Sequence, residues 1–314
     1  MKNIEILAPV GDYESVKAAV LNGADAIYLG ATDFSARKNA NNFSKDELIQ
    51  AVSYCHARNV KVHLAVNTVI FDFEIPLLKD VIKAATTANV DAIIIQDLGV
   101  IDIVKALAPS MQIHASTQMA VHTVAGAKLL ASMGINRVVL ARELSLNEIK
   151  EIIDSVKIET EIFVHGALCM SVSGQCYISG MIGGRSGNRG NCAGTCRLES
   201  KIIDANMPAT PQKNTDEHAL SLKDNCLIGD IDKLIEIGVT SLKIEGRMKR
   251  PEYVASAVKT IKQACSHEDY LDEMENLESI FSRSGFTNGY LDGKMTDMFG
   301  YRRYEDVISA TNKF

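Results

Sequence analysis

The sequence predicts an α/β protein of the TIM-like (β/α) barrel class. Three observations predict it: short buried strand runs recur along the chain, helical periodicity fills most of the gaps, and one phrase repeats ahead of several strands. The runs are Ile4–Ala8, Ala26–Gly30, Val60–Val66, Ala92–Gln96, Met111–Ala115, Arg137–Ala141, Glu161–His165 and Ser241–Glu245. Each is short and rich in Ile, Val and Leu, as a strand buried on both faces should be. Helical periodicity marks Tyr13–Leu21, Lys45–Arg58 and Ile75–Ala88. The phrases NGADAIYLG, ANVDAIIIQ, MGINRVVLA and IGVTSLKIE each set a helix stop, Gly or Asn, just before a strand. A doubly wound sheet is the competing architecture, but no G-x-G-x-x-G follows the first strand.

In a barrel, chemistry gathers where the strands end at their C-terminal face. Those ends are polar here: Asn67, Gln96 and Asp97, Ser116 to Gln118, Arg142 and Glu143, His165, then Glu245 with Arg247. After the seventh strand the pattern breaks into a Cys-, Gly-, Ser- and Asn-rich insertion, residues 166–222. Long loops without periodicity are uncommon unless functional, and this one leaves from the catalytic face. The expected organisation is a barrel over 1–265 carrying that insertion, and a short helical C-terminal extension over 266–314. In the extension HEDYLDEMENLESIFSR reads as a helix, and the turn-rich SGFTNGYLDGK is expected to pack across the barrel.

Composition narrows the class. The chain has 314 residues, 46% hydrophobic and 23% charged, as an ordinary globular protein does. The opening MKNIEILAPVGDYESV lacks an apolar signal core, and no run of eighteen apolar residues occurs, so a cytoplasmic protein without a membrane span is expected. A net charge of −6 argues against non-specific coating of nucleic acid and leaves room for a local basic patch.

Seven cysteines, an odd number in a long chain, argue against a disulfide framework. Cys55 and Cys265 fall in helical patterns and read as small buried hydrophobes. The other five, Cys169, Cys176, Cys192, Cys196 and Cys226, crowd into or just after the insertion. Only Cys192 and Cys196 have the close spacing of a zinc knuckle. Thiolates drawn from separated, glycine-rich loops suit an iron–sulfur cluster better, because backbone N–H groups can then approach the sulfurs.

The text EIFVHGALCMSVSGQCYIS at 161–179, then R185-S186-x-N188-x-G190-x-C192 and SLKIEGRMK at 241–249, resembles the signature of the collagenase-like peptidases, family 32 of the peptidases of unknown catalytic type. The opening LAPVGDYESVKAAVLNGADAIYLG and the late GFTNGYLDGK extend the likeness over nearly the whole chain. The resemblance implies an iron–sulfur protein of oxygen-independent hydroxylation, acting on transfer RNA, ribosomal RNA or a ubiquinone precursor. Prephenate is implied as the oxygen-supplying co-substrate. Carried over by motif, the ligands of a 4Fe–4S cluster are Cys169, Cys176, Cys192 and Cys226, with Cys196 an open fifth thiol because branches differ in which downstream cysteines they use. The resemblance also implies a longer protein or a separate partner subunit.

The family's older title poses peptidase chemistry as the alternative. H-E-x-x-H and G-x-S-x-G are both absent, which leaves a Cys169 nucleophile with His165 as base. A cluster ligand cannot also be a free nucleophile, so hydroxylation ranks first. His165, Glu245 and Arg247 are the candidate catalytic residues, Glu245 reading equally as an ion-pair partner. Arg37, Asn41, Asn67, Gln96, Arg185 and Arg189 are candidate substrate contacts. Arg185, Arg189, Arg197, Lys243, Arg247, Lys249 and Arg250 bracket the cysteines and would form a basic mouth for RNA or an anionic acid. RNA is favoured over a quinone because no strongly amphipathic basic helix is evident. Base stacking would have to come from Phe34, Phe43 or a partner, since Tyr177 is the insertion's lone aromatic.

Overall fold

The computed structural model describes residues 4–36, 42–200, 218–282 and 284–300. Arg37 and Asn41, expected as substrate contacts, lie outside the described residues. Every one of the eight strand runs is a strand. In chain order they are β1 (Glu5–Pro9), β2 (Ala26–Gly30), β3 (Lys61–Val66), β4 (Ala92–Ile95), β5 (Gln112–Ala115), β6 (Arg137–Val139) and β7 (Glu159–Gly166); a short β8 (Asp224–Cys226) then precedes the eighth barrel strand, β9 (Ser241–Ile244). β1 to β7 pair in parallel succession, β7 pairs in parallel with β9, and β9 pairs with β1, so the sheet closes.

Helices fill the crossovers: α1 (Tyr13–Leu21), α2 (Lys45–His56), α3 (Ile75–Thr87), α4 (Gly99–Leu107), α5 (Val124–Ser132) and α6 (Leu146–Ser155). Local chemistry sets their starts. Asp12 accepts from the Ser15 N–H at 2.7 Å, and Ser44 with Glu47 and Ser145 with Glu148 form reciprocal capping boxes. The insertion carries the short α7 (Ile178–Gly183), and α8 (Ile231–Ile237) and α9 (Pro251–Cys265) complete the helical ring. Outward strand residues such as Ile27, Leu64, Ile93, Val138 and Leu242 join the helices in one continuous core. Each such side chain contributes about 1.5–3 kcal/mol on burial.

α10 (Leu271–Phe281) packs on α9 and is followed by β10 (Phe286–Thr287). β10 pairs with β8, and β8 runs antiparallel to the end of β7, with His165 opposite Cys226. Asn225 Nδ2 adds a bond to the Phe163 carbonyl at 2.8 Å. These three-residue and two-residue strands are too short for any periodicity to announce them.

Alternate strand residues face the barrel interior, and these are unusual. Leu7, Ala26, Tyr28 and Ile94 form a small apolar group. Beside it lie Glu5, His63, His114, Arg137, Glu161 and Lys243, most of them wholly buried. Arg137 pairs with Glu5, with Glu159 at 2.8 Å and with Glu161 at 3.1 Å; Lys243 reaches Glu161 at 2.6 Å. Burial alone would raise the Glu161 pKa, but Lys243 and Arg137 outweigh it and hold the carboxyl below its usual range.

Burial also keeps the interior histidines neutral. Desolvation pushes His63 down to about 4, His165 down to about 3, and His114 well below its ordinary value. In the unfolded chain these rings titrate near 6.5, so between there and about pH 4 the unfolded state binds protons that the folded state refuses. Their contribution is therefore complete above about pH 6.5 and shrinks as pH falls, by up to about 1.4 kcal/mol per pH unit for each ring. Thermal unfolding should show a melting temperature several degrees lower at pH 5 than at pH 7. A flat profile would refute the buried neutral rings.

Candidate active site at the barrel mouth

A cavity of about 320 Å³ opens where the barrel strands end. Strand ends and the loops after them supply Tyr28, Asn67, Ser116, Arg142 and Phe163, then Glu245 and Arg247 beyond β9. The insertion covers this mouth and is fastened at several points. Glu143 accepts from the Ser173 N–H at 2.7 Å and from its hydroxyl at 2.9 Å. Arg189 binds Glu74 at 2.5 Å and lies over the Phe71 ring at 4.7 Å. Arg197 donates to the Leu168 carbonyl at 2.6 Å, to Ser221 Oγ at 2.9 Å and to the Leu222 carbonyl.

These fastenings bring four thiols to one cavity: Cys169, Cys176, Cys192 and Cys196. Burial pushes the Cys169 thiol up, partly offset by a hydrogen bond from the Ser171 N–H. The Gly194 N–H lies 3.3 Å from Cys192 Sγ. Cys226 stands elsewhere. It does not line the cavity; burial drives its thiol to about 11, the Ile228 N–H opposes this, and Asp230 and Glu278 add to it. Of the four ligands expected by motif, three meet at the mouth, and Cys196 joins them where Cys226 was expected.

The thiol spacing bears on what could be held. A zinc ion with four thiolates at about 2.3 Å draws the sulfurs to roughly 3.8 Å from each other. Among the described residues, no three cysteine sulfurs approach within 4.8 Å of one another. Four soft donors on one cavity are chemically suited to an iron–sulfur cluster, and the N–H groups at Cys169 and Cys192 would be suitable outer partners for it.

The other expected residues divide. Glu245 and Arg247 line the cavity, Glu245 lying 3.9 Å from Arg142 and Arg247 donating to Ser35 Oγ at 2.8 Å. Asn67 also lines it, accepting from the Ala36 N–H at 3.1 Å. Gln96 is half-buried and off the lining, and Arg185 is exposed and off it too. Arg189 fastens the insertion and Lys249 sits over the Phe281 ring at 4.6 Å; of the expected basic mouth, Lys243, Arg247 and Arg197, the last also a fastening of the insertion, line the cavity. Phe34 and Phe43, named as stacking residues, are buried in the core. Arg142, held over Phe163 at 4.1 Å, is the main addition; its place at the end of the sixth strand was the only signal in the sequence.

His165 is fully buried among Tyr253, Phe281 and Phe286, and among the described residues no histidine lines the cavity. Tyr253 donates its hydroxyl proton to the Glu245 carbonyl at 2.8 Å, so it accepts from His165 Nδ1 at 2.9 Å. That places the ring proton on Nδ1. His165 thus positions the chain at Glu245 through Tyr253, and it is not poised to serve Cys169 as a base.

Gly30 shows how tightly the Arg247 guanidinium is seated. A Cβ there would stand 2.5 Å from Asn42 Oδ1, 2.7 Å from Ser35 Oγ and 2.8 Å from Arg247 Nη1. Gly30→Ala should therefore force Asn42, Ser35 or Arg247 out of its present seat, which the structure of the variant would show. An Arg247 guanidinium still bound to Ser35 Oγ in the variant would show that the seat has slack.

Comparison with known proteins bears on both fold and chemistry. Residues 11–298 match the model of peptidase family U32. "Uncharacterized protease MJ0090" of Methanocaldococcus jannaschii is 37% identical over 92% of this chain and 74% of its own length. The "tRNA hydroxylation protein P1" of Bacillus subtilis is 36% identical over 95% of this chain and 74% of its own. The "23S rRNA 5-hydroxycytidine C2501 synthase" of Escherichia coli is 39% identical over 83% of this chain and 39% of its own. Among solved structures, the U32 peptidase Mk0906 superposes with a TM-score of 0.50 at 14% identity, covering 78% of this chain and 94% of that one.

Proposed function

The chain belongs to peptidase family U32, and from that premise we propose that it is an iron–sulfur-dependent enzyme hydroxylating a nucleoside of transfer or ribosomal RNA. The observation that carries this reading is the meeting of four thiols with Arg142, Lys243, Arg247 and Glu245 on one cavity. Cys169, Cys176, Cys192 and Cys196 would hold a 4Fe–4S cluster, which supplies one-electron chemistry when bound. Two relatives whose printed names specify RNA hydroxylation support the substrate class.

This chain's own residues account for the rest of the site. Arg142, Lys243 and Arg247 form a cationic wall suited to a carboxylate-bearing co-substrate such as prephenate. Asn67 and Ser116, 3.4 Å apart, add neutral hydrogen-bonding groups. Glu245 is the acidic group of the lining placed to take a proton, its backbone steadied by Tyr253 and His165. Insertion residues from Ala167 to Arg197 supply much of the cavity wall. A cytoplasmic site of action follows from an RNA substrate, and no helix among the described residues is long and apolar enough to cross a membrane.

Among the described residues the peptidase alternative lacks an imidazole base on the cavity. A thiol nucleophile needs a lowered pKa and a nearby imidazole; Cys169 is raised, and His165 faces Tyr253. A ubiquinone-pathway role keeps the same cluster chemistry and differs only in substrate. Mass spectrometry of RNA nucleosides from a strain lacking the gene tests the choice. Loss of one hydroxylated nucleoside, restored by the wild-type gene, is expected. An unchanged nucleoside profile would overturn the RNA assignment, and a changed quinone profile would move it to the quinone precursor.

A further inference from the structure

We infer that the barrel interior holds a second metal site, a divalent transition-metal ion bound by His63, His114 and Glu161. One ligand atom from each of these residues lies within 4.8 Å of the others, and all three side chains are wholly buried. They come from β3, β5 and β7, alternate strands of the barrel, so they meet on one interior layer. The two imidazoles approach edge to face with centroids 4.8 Å apart.

The second observation is unmet hydrogen bonding. His63 Nδ1 and both nitrogens of His114 have no hydrogen-bond partner, although buried polar groups almost always find one. Leaving such a group unpaired costs about 1–3 kcal/mol. A metal ion would take a lone pair from each ring. Two imidazoles and a carboxylate suit zinc, iron(II) or manganese(II).

Glu161 also has capacity to spare. Lys243 and Arg137 bind its two oxygens at 2.6 and 3.1 Å, and each carboxylate oxygen keeps a further lone pair. Around the layer the carboxylates of Glu5, Glu159 and Glu161 are balanced by Arg137, Lys243 and Lys61, so an entering ion would be held by the two neutral imidazoles and the spare lone pairs of Glu161.

The location gives the site a role. Two residues beyond each ligand stand Ala65, Ser116 and Phe163, all of which line the mouth cavity. At about 3.3 Å per strand residue the ion would lie roughly 7 Å beneath the cavity floor. It would tie three strands together directly under the reacting groups, and it is independent of the thiols and of the hydroxylase reading.

The test measures metals and acid-labile sulfide together in protein purified without oxygen. Cluster iron comes with sulfide; the inferred ion appears as about one further metal per chain without sulfide. It should persist in a Cys169→Ala/Cys176→Ala variant and vanish in His114→Gln and His63→Gln. Because those variants remove buried groups, cadmium-113 NMR on the wild-type chain gives a second readout: a resonance typical of nitrogen and oxygen ligands, distinct from any thiolate signal, is expected. No sulfide-free metal and no such resonance, leaving the rings bridged by buried water alone, would overturn the inference.

Discussion

Replacing Cys176 by alanine is expected, on the proposed function, to abolish bound iron, a broad absorbance near 400 nm and RNA hydroxylation together. The expectation rests on geometry: Cys176 shares one cavity with Cys169, Cys192 and Cys196. A cubane loses a quarter of its protein bonds with any one thiolate, and alanine offers no donor in its place. Cys169→Ala and Cys192→Ala should behave alike. The informative pair is Cys196 and Cys226. Cys196 is on the cavity, whereas Cys226 is packed near Asp230 and Glu278. Iron should therefore be lost in Cys196→Ala and kept, at about four atoms per chain, in Cys226→Ala. The reverse pattern would mean that the β8 segment rearranges when the cluster binds. A wild-type protein without iron or sulfide under anaerobic purification would remove the cluster altogether.

Arg137→Met should be the most damaging substitution for the fold itself. The guanidinium holds Glu5, Glu159 and Glu161 together at the barrel's interior, and Glu161 is completely buried. Removing one partner of a buried charge pair costs about 3–5 kcal/mol, because the stranded charge keeps its desolvation penalty. Urea denaturation of wild type and variant measures this. Arg137→Lys should recover little, since one ammonium cannot serve three carboxylates in the fork geometry of a guanidinium. Pairing Arg137→Met with Glu161→Gln should restore part of the loss by removing the stranded charge. A cost below about 1 kcal/mol would show that the interior network is solvated.

Much of this architecture is legible before folding, for a definite reason. A parallel strand buried on both faces must be a short run of branched apolar residues, and Ala92–Ile95 or Ser241–Ile244 announces itself that way. Helix starts are local too, as at Ser44 with Glu47. The cysteine-rich insertion is visible because it interrupts the period. The role of individual polar residues is not visible in the same way. Arg189 and Arg197 read as site cations, yet their partners, Glu74 and the Leu168 and Leu222 carbonyls, are supplied by distant segments. His165 sits at a strand end like the true lining residues, but a bulge between Phe163 and His165 accompanies its burial beside Tyr253.

The sequence by itself determined the barrel and the order of its strands, because hydrophobic periodicity is a property of the chain read locally. Only the tertiary structure decided which thiols share a cavity, which cations remain on its wall, and that His63, His114 and Glu161 converge from strands far apart in sequence. Those outcomes depend on closure of the sheet: once β9 pairs with both β7 and β1, alternate side chains from separate strands are forced into one interior layer, and no local pattern encodes which of them will touch.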